Sequence, residues 1–322
     1  MPRPLVVPLL AVLAATAGRA QQTVAAGRGT VAVRSFDSPA LGVRKRYQVY
    51  LPASYARDSR RRYPVAYLLH GRTGSEAEWT ARGDLAAIAD SLFSQGPELI
   101  LIMPDGDNGF WVNWESWPGF AACARDTTLA EAAESFCVES ARFGDYVARD
   151  LVAEVDAGFR TLPARGHRGL LGVSMGGTGA LTLALCYPDV FGAAAAFASP
   201  QPFYLGPAPG REAASLAALD SALGRPVGPL TRARWGADSA AWWRHSPDRA
   251  ARRLRGQGGV FPAIRLEVGL ADQYRDENRA FAATLRGLGV TFEYLEREGG
   301  HEWSTWRAHT GEALVWLGRM LR

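Results

Sequence analysis

Lysine is all but missing from this chain. Of 36 lysine and arginine side chains among 322 residues, Lys45 is the sole lysine and the rest are arginine. The formal net charge is only +4, too little for the strongly basic surface that nucleic acid attracts. Two basic clusters exist, Arg60-Arg61-Arg62 and Arg249, Arg252, Arg253 and Arg255, without aromatics interleaved at a nucleic-acid spacing. The second shares a helical stretch with Ala250, Ala251 and Leu254, so it reads as a solvated face, and no nucleic-acid partner is expected.

Cysteine is scarce as well. There are three, with no Cys-x-x-Cys and no His/Cys cluster, which argues against a structural zinc site; no metal or cofactor is expected. Cys123 and Cys137 lie in one loop region and could close a short disulfide in an oxidising compartment. Cys186 reads as a buried free thiol on a helix. Long apolar runs are also lacking, apart from Leu5 to Ala15. That run follows Arg3 and precedes Gly18-Arg19-Ala20, the pattern of a secretory signal peptide over 1–20 and too short for a comfortable membrane span. The expected location is therefore secreted or periplasmic, with a retained N-terminal anchor as the alternative. No internal repeat is visible.

What is present is enough apolar residue, 48%, to build a large core, which excludes the disordered and fibrous classes. Strand-like runs at Val31 to Phe36 and Arg46 to Leu51 predict an antiparallel start. Val65 to Leu69 and Leu99 to Met103 are apolar on both faces, as central parallel strands are. A helix is expected from Asp84, as N-cap, to Phe93, and Phe143, Val147, Leu151, Val155 and Phe159 recur at helical spacing. Further strands are expected at Phe191 to Ala198, Ile264 to Val268 and Thr291 to Leu295, with helices over Glu277 to Leu288 and Ser304 to Leu321. Residues 201 to about 260 read as a helical insertion, with patches at Arg211 to Leu223 and Ala240 to Arg255. The alternation predicts one α/β domain over 21–322, a mainly parallel twisted sheet with helices on both faces.

The stretch that organises the chain is Leu170-Leu171-Gly172-Val173-Ser174-Met175-Gly176-Gly177. A buried strand, a Gly-x-Ser-x-Gly turn and a helix in that order form a nucleophile elbow, with Ser174 raised at the sheet edge. A serine hydroxyl needs a base, and the base needs an acid. The elbow's chain order is serine, acid, histidine. His70 and His167 precede the serine, His245 precedes the plausible acid, and His309 falls inside the last helix. His301 remains, in the glycine-rich loop Glu298-Gly299-Gly300-His301. Asp272, in the loop after Ile264 to Val268, is the favoured acid; Asp276 competes but suits the first turn of the next helix. The N–H groups of Met175 and Arg72 are the expected oxyanion donors, with His70 as scaffold. Trp111, Trp114 and Trp117 could form an aromatic wall for substrate or anchor the long 105–140 loop. Asp107 and Asn108 could shape the pocket or a turn.

Leu68-Leu69-His70-Gly71, Pro104-Asp105-Gly106, Gly172-Val173-Ser174-Met175-Gly176-Gly177, Asp272 and Gly299-Gly300-His301-Glu302-Trp303 together resemble the esterase D-type family of α/β-hydrolases. That family includes S-formylglutathione hydrolases, feruloyl and acetyl-xylan esterases and antigen 85-type mycolyltransferases. The resemblance spans about residues 30 to 320. It implies an α/β-hydrolase fold, a Ser174–His301–Asp272 triad and oxyanion donors at Met175 and Arg72. The mycolyltransferases are also similar in export and in a loop cysteine pair, here Cys123 and Cys137. The loop from Phe110 to Ser140 is longer than the family's, so the substrate pocket does not carry over. The expected activity is a secreted serine carboxylesterase acting on a small-molecule or carbohydrate-linked ester. The alternatives are an acyltransferase with the same triad and a non-catalytic carbohydrate-binding module on this scaffold.

Overall fold

The computed structural model describes residues 27–117, 119–125, 137–200 and 245–322. The expected signal peptide and the helical patch at Arg211 to Leu223 lie outside the described residues.

Among the described residues, eight strands form one sheet in the order β1-β2-β4-β3-β5-β6-β7-β8. These are β1 (Thr30–Ser38), β2 (Val43–Leu51), β3 (Val65–Leu69), β4 (Ile100–Pro104), β5 (Arg168–Val173), β6 (Ala193–Phe197), β7 (Ala263–Gly269) and β8 (Glu293–Arg297). β1 and β2 pair antiparallel, as do β2 and β4, and all remaining pairs are parallel. The sheet is thus the mainly parallel one expected, with an antiparallel edge.

Period-two alternation sorts side chains between its faces. Val65, Tyr67 and Leu69 of β3 enter one core together with Phe143, Val147, Leu151 and Val155. Ala66 and Leu68 enter the other, where helices α1 (Leu85–Phe93) and α5 (Trp303–Met320) cover the sheet. Helix α2 (Met175–Cys186) packs on the first face. Beside it, α3 (Pro247–Gly256) and α4 (Arg275–Gly287) close a third apolar cluster against β7. Helix α3 begins with Pro247 in its first turn, where a missing N–H costs nothing.

The four-residue apolar spacing after the long loop does form a helix. It runs through Phe143–Asp145, Tyr146–Leu151 and Val152–Gly158, the middle part with wider π-type turns. Several details differ from expectation, among them β2, which begins three residues early at Val43, and β6, which spans only Ala193–Phe197. Asp84 takes the expected N-cap position of α1, with φ of 49°, but its side chain makes no cap bond; its carboxylate instead pairs with Arg307 at 3.0 Å. Strand β8 begins two residues later than Thr291, because it is an edge strand whose exposed positions carry charge, hiding the apolar alternation. Helix α4 begins at Arg275, two residues before Glu277. In the long loop a short helix, Phe120–Ala124, carries Cys123, which is disulfide-bonded to Cys137. Cys186 is a free thiol whose pKa burial pushes up. Among the described residues, no helix is long and apolar enough to cross a membrane.

Candidate active site

Ser174 sits between β5 and α2 with φ of 54° and ψ of −124°, a conformation that costs a non-glycine residue energy and is held only by rigid surroundings. Those surroundings are backbone. A Cβ on Gly172 would run into the Gly176 carbonyl, and one on Gly176 into the Leu69 carbonyl, each far inside van der Waals contact. The serine is thereby raised where the parallel strands end.

Two later loops reach it. After β7 the chain turns through a bond from the Asp272 N–H to the Gly269 carbonyl, 3.1 Å. The buried Asp272 carboxylate then accepts the Tyr274 N–H at 2.8 Å through Oδ1. After β8, Gly299 adopts φ of +112°, which only glycine takes readily, and presents His301 over the edge. His301 Nδ1 lies 2.9 Å from Asp272 Oδ2, and its Nε2 lies 2.8 Å from Ser174 Oγ. A carboxylate accepts, so Nδ1 carries the proton and Nε2 is left to accept from the serine hydroxyl. Tyr274 and Trp306 hold the imidazole edge-on, with ring centres 4.9 and 5.0 Å away.

Asp276 stands elsewhere. It lies in the first turn of α4 and pairs with Arg275 and Arg279. Three further histidines are also engaged away from the serine. His167 Nδ1 faces the Leu321 carbonyl, His245 pairs with Glu115, and His309 approaches Glu267.

Met175 is the first residue of α2, so its N–H has no partner within the helix and the positive end of the helix dipole lies beside the serine. On the other side the β3 loop passes close. A Cβ on Gly71 would sit 3.4 Å from Ser174 Cβ, and Arg72 follows directly. A cleft of about 340 Å³ opens here, and Ser174, His301, Arg72, Arg82, Tyr274 and Trp303 are among the residues lining it. Arg82 is paired with Glu78 at 3.4 Å.

The aromatic wall expected from Trp111 and Trp114 is corrected. Trp111 is fully buried, wedged where Gly106 and Gly179 leave room, with Nε1 donating to the His70 carbonyl. Trp114 is buried and donates to the Gly109 carbonyl at 3.0 Å, while Trp117 donates to that of Val138 at 2.8 Å. These rings fasten the loop to the core. Asp107 is buried too, 2.8 Å from Lys45 Nζ, and so does not face substrate. Asn108 does reach the site's rim, where its Oδ1 accepts the Thr73 N–H at 2.8 Å. The aromatic lining comes instead from Tyr274, Trp303 and Trp306. The run of aromatics just after His301 was the available signal for two of them, since a loop that delivers the base also delivers its neighbours.

Comparison with known proteins places the chain in a family. Residues 38–317 match a family model described as "Esterase: Putative esterase". The chain is 23% identical to an acetyl esterase of Caldicellulosiruptor saccharolyticus, over 79% of this chain and 83% of that protein. It is 28% identical to an endo-1,4-beta-xylanase/feruloyl esterase of Xylanibacter ruminicola, over 51% of this chain but only 21% of that protein. Its fold is similar to an S-formylglutathione hydrolase from Agrobacterium tumefaciens, with a TM-score of 0.67 and 22% identity, covering 92% of this chain and 97% of that one. The chain belongs to the putative esterase family, with the α/β-hydrolase fold, and is a carboxylester hydrolase.

Proposed function

We propose that the protein is an exported serine carboxylesterase whose nucleophile, base and acid are Ser174, His301 and Asp272. The observation that carries this reading is the unbroken hydrogen-bond chain from Ser174 Oγ through His301 to Asp272, at 2.8 and 2.9 Å. His301 Nε2 takes the serine proton as Oγ attacks the ester carbonyl. The tetrahedral oxyanion is met by the N–H groups of Met175 and Arg72. Collapse expels the alcohol, which receives the proton from His301, and leaves an acyl-serine. Water, deprotonated by the same imidazole, then releases the acid. Asp272 holds the imidazole's tautomer and stabilises the imidazolium without itself taking the proton.

The cleft's aromatic and polar lining suits a short or aryl acyl group on a hydroxylated carrier. The acetyl and feruloyl esterases among the relatives favour the same class. Export rests on the N-terminal run of residues 1–20, outside the described residues, and fits the Cys123–Cys137 disulfide.

Hydrolysis of p-nitrophenyl acetate, methyl ferulate and acetylated xylan tests the reading. Ser174→Ala should lower turnover by about 10⁴-fold or more; intact turnover in that variant would refute the assignment. A second reading, acyl transfer to an alcohol, is favoured by the resemblance to the mycolyltransferases, which carry a cysteine pair in the loop where this chain has Cys123–Cys137. With glycerol or a sugar present, more transferred ester than free acid would select it.

A further inference from the structure

Beneath the Gly71–Arg72 turn lies a polar cluster that the chemistry above leaves unused. Lys45 on β2 is buried and pairs with both Asp105, at 3.3 Å, and Asp107, at 2.8 Å. Burial opposes its charge, but the two carboxylates outweigh burial and hold its pKa above the ordinary lysine value. Between those aspartates sits Gly106, where any Cβ would strike the Trp111 ring. Its N–H donates to His70 Nε2 at 3.0 Å. The other ring nitrogen, Nδ1, is 2.7 Å from the Gly71 carbonyl oxygen.

These two partners leave the imidazole one state. A carbonyl only accepts, so Nδ1 bears the proton; an N–H only donates, so Nε2 is bare. Asp105 Oδ1 is 3.7 Å from Nε2, too far for a hydrogen bond. His70 is almost fully buried and flanked edge-on by Trp111 at 4.9 Å.

The Gly71 carbonyl and the Arg72 N–H are opposite ends of one planar peptide unit. Holding the oxygen fixes the direction of the N–H. Arg72 and Thr73 are exposed; the Thr73 N–H is held by Asn108 Oδ1, and among the described residues the Gly71 oxygen otherwise receives only the local turn bond from Gly74, 3.1 Å. We infer that His70 is a positioning residue. The turn clamped by Lys45 holds it in the Nδ1–H form, and it sets the Gly71–Arg72 peptide plane that aims the Arg72 N–H at the developing oxyanion. The inference rests on the oxyanion role proposed for Arg72, and the sole lysine thereby acquires a task at the reaction centre without touching substrate.

Two substitutions separate this from a merely structural role. In His70→Asn the amide nitrogen can occupy the place of Nδ1 and still donate to Gly71, but cannot reach Gly106. In His70→Gln the amide oxygen can occupy the place of Nε2 and accept from Gly106, but donation to Gly71 is lost. Each removes one buried hydrogen bond, so melting temperatures should fall by similar amounts. With p-nitrophenyl acetate, His70→Gln should lower kcat by about 100-fold with KM within about threefold, and weaken a boronic acid that mimics the tetrahedral adduct in step. His70→Asn should lose less than about tenfold in kcat, the margin expected of a site whose donor geometry is kept. Equal losses in the two variants, no loss in either, or a loss confined to KM would overturn the proposal. Ser174→Ala, run alongside, keeps the failures apart: turnover surviving there would remove the esterase assignment, whereas its loss with equal His70 variants would remove only this inference.

Discussion

The centre of the sheet and its β7–β8 edge hold their halves of the site by different physics. β3, β4, β5 and β6 are buried along their whole lengths, and Ser174 is fixed there by backbone packed against backbone. The edge is charged. Arg265, buried on β7, meets Glu267, Glu293 and Glu312 at 3.0 to 3.3 Å, and Arg297 on β8 also reaches Glu312. The base and its acid leave from those two strands. Sterics therefore place the nucleophile, whereas ion pairs and hydrogen bonds place its partners, and the two halves should respond differently to substitution, salt and pH.

The largest effect belongs to the centre. Gly176→Ala puts a methyl group into the Leu69 carbonyl, and no flexible side chain can yield. Soluble expression followed by circular dichroism should find no folded, active protein; a folded variant with normal turnover would show the elbow to be looser than its geometry. At the edge, Asp272→Asn should lower kcat/KM about 10⁴-fold while the melting temperature stays near that of the parent. Asp276→Asn, altering an exposed carboxylate that pairs with Arg275 and Arg279, should stay within about twofold, as surface changes usually do. If the two asparagine variants exchanged places, Asp276 would be the acid.

Next comes Arg265→Met, which leaves the buried Glu267 without its closest cation. Breaking a buried pair from one side costs about 3 kcal/mol or more, readable by urea denaturation. Burial already lifts the Glu267 pKa above its ordinary 4.5 despite Arg265. The folded state therefore binds that proton more tightly than the unfolded chain, and stability falls as pH rises above 4.5. The Arg265→Met deficit should grow with pH, and a pH-independent deficit would contradict this account.

The smallest effect is expected at Glu296, which bonds Arg279 at 2.6 and 2.7 Å. The Arg279 guanidinium draws its pKa from 4.5 down to about 2. A depressed acid contributes stability above 4.5 and loses it as pH falls toward 2. Glu296→Gln should flatten that acid limb slightly, and less so in high salt, since the pair is largely exposed. An unchanged limb would mean that the pair contributes nothing.

The elbow, the buried strands and the loops bearing Asp272 and His301 were legible because each is a local pattern. Glycine spacing, apolar runs and chain order do not depend on what packs against them. The register of β8 was not legible, since an edge strand's charges are satisfied by residues far away, Arg279 among them. Nor were the roles of Trp111 and Asp107. Whether a tryptophan lines a cleft or fills a core depends on distant glycines, here Gly106 and Gly179, and whether an aspartate is free depends on Lys45, some sixty residues earlier. The N-cap position of Asp84 was legible, but the partner of its carboxylate, Arg307, was not.

Burial of the sole ε-amine leaves an exterior whose positive charge is carried by guanidinium groups. The lysine ε-amine is the side chain that amine-directed acylating reagents modify. Here no lysine nitrogen stands in their path: Lys45 is enclosed and protonated. Guanidinium groups, which stay protonated, are poor acyl acceptors, so the protein should go largely unlabelled on its side chains by amine-directed reagents.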